Sequence, residues 1–172
     1  HLHNHTDYSL LDGACEIGQM MKIAKEQTMP AIAMTDHGNL FGAVEFYNKA
    51  KEYDVRPVIG CEVYVARKDH KEKSDTRYNH LVLLCQNQDG YRNLIQLVSS
   101  GYLDGFYNKP RIDKDLLARH SKGIIALSAC LKGDIAEHLM EDKYAEAKRL
   151  AYEYQDIFGK ENFFLELQNH GL

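Results

Sequence analysis

Apolar residues along this chain fall into two alternating rhythms. Short apolar runs occur at Ala31 to Thr35, Pro57 to Ala66, His80 to Cys85, Gly123 to Ala129 and Phe163 to Leu167. Several are rich in Val and Ile and bounded by Gly, Pro or Asp, as buried strands are. Between them the period lengthens. Ile17, Met20, Met21 and Ala24 stand at i, i+3, i+4 and i+7, as do Tyr91, Leu94, Ile95 and Val98. Ala43, Phe46, Tyr47, Ala50 and Tyr53 keep nearly the same spacing, and so do Tyr144, Ala147, Ala151, Tyr154 and Phe158. Such spacing predicts amphipathic helices with one core face. The predicted order is roughly β-α-β-α-β-β-α-β-α-α-β. Repeated strand–helix alternation predicts an α/β fold with a mostly parallel sheet or a barrel.

Two polar segments interrupt the pattern. Residues 67–77 (RKDHKEKSDTR) carry five basic and three acidic residues. They are expected to form a solvated loop between two strands, with a contact to a DNA backbone as the competing reading. Residues 101–111 (GYLDGFYNKPR) are expected to form an ordered loop. No repeat or low-complexity tract appears, and 172 residues suit one domain.

Charge and cysteine usage narrow the classes. The net charge of −4 is unlike that of a nonspecific nucleic-acid coat, so any contact with DNA must be local or made by a partner. Cys15, Cys61, Cys85 and Cys130 form no CxxC pair, which suits a reducing compartment. The first three are expected to be small core residues. No apolar run approaches the ~18 residues of a membrane span, and no signal peptide or lipidation motif is visible. The chain starts at His1 rather than Met and stops just after an apolar run, so a fragment of a longer cytoplasmic protein is expected.

The candidate chemistry is concentrated in His and carboxylate residues. His1, His3 and His5 open the chain. On an extended strand, His residues at i and i+2 point to one face and can grip one ion. Asp12 and Gly13 follow in a turn. The second cluster, Thr35-Asp36-His37-Gly38, lies between an apolar run and a helix, where the ends of parallel strands gather chemistry. Asp36 is a candidate to fix the tautomer of a ligand imidazole, and a helix N-cap beside a surface His is the competing reading. Glu62 lies within an otherwise apolar strand, either at a solvent edge or as a bridging ligand. His80 opens one run and Cys130 closes another. His80 begins its run, so it reaches the same mouth only if its strand runs antiparallel to its neighbours or if the boundary of the run lies elsewhere. His3, His5, Asp12, His37, Glu62, His80 and Cys130 make seven N, O and S donors. That set suits two or three divalent ions, with the thiolate favouring Zn over Mn or Fe. Clustered ions point to phosphate-ester hydrolysis. No G-x-x-x-x-G-K-[ST], G-x-G-x-x-G or G-x-S-x-G motif is present. His70, His120 and His138 are expected on the solvated surface.

These motifs together support a resemblance. HLHNHTDYSLLDG, TDHGNLFGAVEFYNKA, RPVIGCEVYVA, HLVLLCQNQDGYRNLIQLVS, GFYNKPRID and SACLKGDI resemble the polymerase-and-histidinol-phosphatase (PHP) domain. They are most similar to the form at the N-terminus of bacterial DNA polymerase III alpha subunits. The resemblance covers essentially the whole chain. It implies a distorted (β/α)7 TIM-like barrel, here truncated before its last strands, with up to three metal ions at one mouth. By motif, it implies one metal on His3, His5 and Glu62, a second on Asp12 and His37, and a third on Glu62, His80 and Cys130. His1 is not a ligand in this pattern. Two departures accompany it. The family's late Asp-x-His pair does not occur in these residues, and neither do the polymerase palm, fingers and thumb. The resemblance implies a 3′–5′ exonuclease site for proofreading within a DNA-directed DNA polymerase. Its implied partners are DNA, the other polymerase domains, and replisome subunits such as the sliding clamp and a separate proofreading exonuclease. A metal-stabilised scaffold without catalysis and a free-standing phosphatase are the competing readings.

Overall fold

The computed structural model describes residues 1–169. Seven strands form a mixed sheet: β1 (Ile32–Met34), β2 (Pro57–Ala66), β3 (Tyr78–Cys85), β4 (Phe106–Tyr107), β5 (Lys109–Ile112), β6 (Ile124–Leu127) and β7 (Phe163–Phe164). Six helices accompany them: α1 (Ile17–Glu26), α2 (Ala43–Glu52), α3 (Gln88–Leu103), α4 (Lys114–Arg119), α5 (Asp134–Met140) and α6 (Tyr144–Phe158). The sheet order is β4-β5-β2-β3-β6-β7, with β1 also paired to β2.

The mostly parallel expectation is corrected by β3, which runs antiparallel to both β2 and β6. Its connection from β2 contains no helix, and antiparallel neighbours need none. His80 therefore lies near the start of its strand, at the end of the sheet where parallel strands finish. The (β/α)7 barrel is not realised among the described residues, because the sheet does not close. Residues 1–5 run beside β1, where Ala33 N–H donates to His1 O and Thr35 N–H to Asn4 O. No backbone pairing joins that segment to β7 among the described residues.

Period-2 alternation divides β2 and β3 between two faces. Cys61, Val63, Val65, Leu81 and Leu83 pack into the main core with residues of α3, α4, α5 and α6. Glu62, Tyr64, His80 and Val82 take the opposite face, with Tyr64 facing His80 and Glu62 facing Val82 across the ladder. A small apolar cluster of Ala33, Val82, Leu84, Leu127 and Ala129 floors that face. A further core between α1, α2 and β1 includes Met21, Met34 and Phe46.

Several local expectations are revised. Residues 101–111 are not a loop: α3 runs through Leu103, and β4 and β5 then form a hairpin around Asn108, whose φ of 61° suits the turn. The 163–167 run is a strand only at Phe163–Phe164, and Leu167 is fully exposed. Cys15 is exposed rather than core: it lies just before α1, in an isolated bridge to Thr6. His70 is buried, and His120 and His138 are half-buried. No helix among the described residues is long and apolar enough to cross a membrane.

Candidate metal centre

The ends of five chain segments converge at one rim of the sheet. Residues 1–6 bring His3 and His5. The segment after β1 brings His37, and β2 continues past β1 to bring Glu62. The start of β3 brings His80, and the turn after β6 brings Cys130.

Glu62 is the hub. Its backbone is pinned to the segment after β1 by two bonds: Glu62 N–H donates to Asp36 O at 3.1 Å, and Gly38 N–H donates to Glu62 O at 2.8 Å. Gly38 has φ +64°, and a Cβ there would meet Tyr64 and Pro110, so glycine lets the chain turn away directly after His37. The Glu62 side chain is buried at 1% exposure, which removes the solvent-edge reading. His3 Nε2 lies 2.8 Å and His5 Nε2 3.0 Å from its Oε2. His37 Nδ1 is 3.6 Å from the same oxygen, and His80 Nδ1 touches Oε1. Four imidazoles thus surround one carboxylate.

Asp12 and Cys130 sit one step further out. Asp12 Oδ2 is 2.9 Å from His37 Nε2, while its own side chain is exposed. Cys130 Sγ is 3.9 Å from His80 Nδ1. Ala129, with φ 62° in the left-handed region, makes the turn that presents Cys130, and Gly133 N–H closes it onto Cys130 O. Two sets of donor atoms lie close enough for one ion each: His3, His5 and Glu62, and His37, Glu62 and His80.

Asp36 does not contact an imidazole, contrary to expectation. Fully buried, it accepts from Thr6 N–H at 2.6 Å, Thr6 Oγ1–H at 2.7 Å and Ser9 Oγ–H at 2.8 Å. Ser9 Oγ in turn accepts from His37 N–H. Asp36 therefore ties the first turn to the strand end, and its effect on His37 passes through Ser9.

Glu166, just past β7, is a site residue that the motif reading missed. Its Oε1 is 2.7 Å from His3 Nδ1, on the ring nitrogen opposite Glu62. A carboxylate on the far nitrogen fixes ring orientation and tautomer for a ligating His. The available signal was a carboxylate at the end of an apolar run, the same signal that marked Asp36.

The electrostatics follow from this crowding. Burial alone would raise the Glu62 pKa, but hydrogen bonds from His3, His5 and His80 hold it well below the carboxylate range. Burial works against a charged His3, yet its bonds to Glu166 and Glu62 raise it to about 10. For His80, burial is likewise outweighed by Cys130 and Glu62, giving about 9. His37 is lowered, chiefly by burial. The His80 bond lowers the Cys130 thiol.

These residues fit a cation better than they fit one another. His5 and His37 stack at a centroid distance of 4.0 Å, so charging both rings is costly. His5 Nδ1, His37 Nδ1 and Glu166 Oε2 are buried without a hydrogen-bond partner. Buried polar atoms left over in this way are uncommon and call for an explanation such as an ion. N, O and S donors in this mixture suit Zn, Mn or Fe.

The PHP domain family matches residues 1–170. DNA polymerase III subunit alpha of Chlamydia trachomatis is 51% identical over 98% of this chain and 14% of its own length. The Thermus aquaticus subunit is 49% identical over the whole chain, covering 15% of its length, and that of Helicobacter pylori J99 is 48% identical with the same coverage. The chain thus spans about one-seventh of the curated relatives it matches. It belongs to the PHP domain family, in the form carried by bacterial DNA polymerase III alpha subunits.

Proposed function

We propose that the residues around Glu62 form a multinuclear metal centre that hydrolyses phosphodiester bonds, and that in the intact polymerase it removes 3′-terminal nucleotides as a 3′–5′ proofreading exonuclease. The observation that carries this reading is one buried carboxylate approached by four imidazoles, with unpartnered ring nitrogens on His5 and His37. His3, His5 and Glu62 would hold one ion. His37 and Asp12 would hold a second, and His80 and Cys130, sharing Glu62, a third. Zn suits the single thiolate best, and Mn or Fe fit the N and O donors. When bound, such ions make water acidic and neutralise charge on phosphoryl oxygens.

The chain's own residues shape that chemistry. Glu62 and Glu166 grip His3 from opposite ring nitrogens. Asp12, at the exposed mouth, orients His37. Tyr64 packs against both His37 and His80 and shields the site from one side.

Residues 1–172 act in this reading as one domain of a DNA-directed DNA polymerase in the bacterial cytoplasm. Its partners would be DNA, the other polymerase domains of the same chain, and replisome subunits such as the sliding clamp. The family's Asp-x-His pair would come from the longer chain. The gap between β7 and residues 1–5 is where a complete (β/α)7 barrel would close. In the full-length polymerase, His3→Ala or His37→Ala should abolish exonuclease activity while sparing nucleotide addition. Equal exonuclease rates in variant and wild type would overturn the proposal. In that event the scaffold reading leads, supported by the way His3 and Glu166 bridge the open seam.

A further inference from the structure

Above the imidazoles opens a cleft of about 300 Å³ whose lining mixes His37, His80 and Asp12 with Phe41, Tyr102, Lys109 and Lys132. We propose that Lys109, Lys132, Phe41 and Tyr102 form the seat for the end of a single nucleic-acid strand. The ammonium groups take its phosphates and the rings take its unpaired terminal base. This inference rests on the phosphodiesterase reading above and adds to it the residues that hold the substrate.

The lysines are placed for an anion. The Lys109 ammonium lies 5.2 Å from the centroid of Tyr64. Tyr64 in turn packs 6.2 Å from His37 and 5.3 Å from His80, so that cation is held beside the cluster. Lys132 is fixed through its backbone: its carbonyl accepts from His80 N–H at 2.9 Å and from Asn79 Nδ2–H at 3.3 Å. Its side chain is exposed. Among the described residues neither ammonium has a carboxylate within ion-pair distance, whereas Lys114, on the other side of the sheet, is held by Asp134 and Glu153. Unpaired cations beside a site that itself attracts divalent ions are explained by a negatively charged ligand spanning both.

The rings are placed for a flat apolar face. Phe41 is 65% and Tyr102 40% exposed, and their centroids are 6.4 Å apart. Tyr102 also stacks on Phe106 at 6.0 Å. Phe41 is not a loose surface residue. Its N–H donates to Asn39 Oδ1, and buried Asn39 donates to His37 O and Tyr8 O. The exposed ring therefore sits on a turn braced to a candidate ligand. Fixed aromatic rings beside lysines are the general arrangement for single strands, because every base has a face to stack. A base within a duplex is already stacked and paired, so a frayed or single-stranded end suits this rim.

The test uses the full-length polymerase and an oligonucleotide ending in 3′ 4-thiothymidine, with phosphorothioate terminal linkages to slow cleavage. After irradiation the crosslinked peptides are mapped by mass spectrometry. Crosslinks are expected in the peptides containing Phe41 or Tyr102, and their yield should fall at least about five-fold in a Lys109→Gln/Lys132→Gln variant as phosphate contacts are lost. Unchanged metal content in that variant shows that the fold and ligands survive. Crosslinks found only outside these peptides, or an unchanged yield in a folded variant, would overturn the seat. The readout is binding rather than hydrolysis. Crosslinking here without exonuclease activity would uphold the seat and remove the phosphodiesterase reading, and exonuclease activity without crosslinking here would do the reverse.

Discussion

Among the described residues, three sets of His and carboxylate side chains offer three donor atoms within reach of one ion, in two places that are opposite in character. One gathers around Glu62, and the other joins Asp69, His70 and Asp113. In the second, buried Asp113 is saturated. Its Oδ2 accepts from His70 N–H and contacts His70 Nδ1, and its Oδ1 caps α4 by accepting from Leu116 N–H at 2.8 Å. Beside it Arg111, 1% exposed, donates to the carbonyls of Gly105, Asp75, His70 and Glu72. None of the buried polar atoms of this group lacks a partner among the described residues. Around Glu62, by contrast, three buried atoms do: His5 Nδ1, His37 Nδ1 and Glu166 Oε2. Donor spacing alone does not distinguish a metal centre from a structural clasp. Unsatisfied lone pairs do, because folding leaves them unpaired only where something else binds.

The largest expected contrast comes from neutralising each hub in the full-length polymerase. Glu62→Gln should empty the site of tightly held transition metal and lower exonuclease activity by roughly 1,000-fold, about 4 kcal/mol in the barrier. Asp113→Asn should leave metal content and exonuclease rate within about two-fold. Loss of metal in the Asp113 variant, read by plasma mass spectrometry, would erase the distinction.

Next in size is the clasp itself. Arg111→Met leaves four carbonyls without their donor, and buried acceptors left unsatisfied cost on the order of 1–3 kcal/mol each. Amides of residues 67–77 should lose about 100-fold of their hydrogen-exchange protection, roughly 2.7 kcal/mol, with metal content unchanged. Wild-type protection in this variant would mean the loop is held by something else.

Glu166→Gln should have an intermediate effect. It keeps the size of the group but removes the charge behind His3, and such outer carboxylates are typically worth about 10–100-fold in metal affinity. A chelator titration that superimposes on wild type would reduce Glu166 to a surface contact.

The smallest effect is a pH dependence of the clasp. Burial would raise the Asp113 pKa, but its bonds to His70 and to the N–H groups of Leu116 and His70 hold it below the usual value of 3.8. A carboxylate depressed in the folded state contributes stability above its unfolded pKa and loses it as pH falls through the folded one. Pepsin cleavage within residues 67–77 should therefore accelerate as pH drops below about 3.8, and Asp113→Asn should flatten that profile. Identical profiles would remove Asp113 as the cause.

The donors around Glu62 were legible because each stands where its neighbours make it expensive. His3 and His5 share one face at i, i+2, and Glu62 interrupts an apolar strand. His80 and Cys130 were candidates for the same mouth, and the antiparallel course of β3 supplies the geometry for His80. The His70 clasp was not legible. Residues 67–77 read as solvated because they are polar, yet their carbonyls turn inward to Arg111, whose place in the sequence 35 or more residues later gives no local sign. Asp36 was correctly singled out as costly to bury, but its partners proved to be Thr6 and Ser9 rather than an imidazole. Composition carries no information about which hydroxyl will be nearest. Cys15 failed for the converse reason, since residue type predicts burial only on average.

By itself the sequence determined the α/β alternation, the helix faces, the family and the set of donors around Glu62, all of which depend on residue type and short-range spacing. Tertiary structure alone decided that the sheet is mixed and open, that Glu166 backs His3, that Asp36 braces a turn, and that His70 belongs to a saturated clasp. Those outcomes depend on which atoms meet across more than 25 residues of chain and on whether each buried donor or acceptor finds a partner there. Local pattern does not encode that pairing.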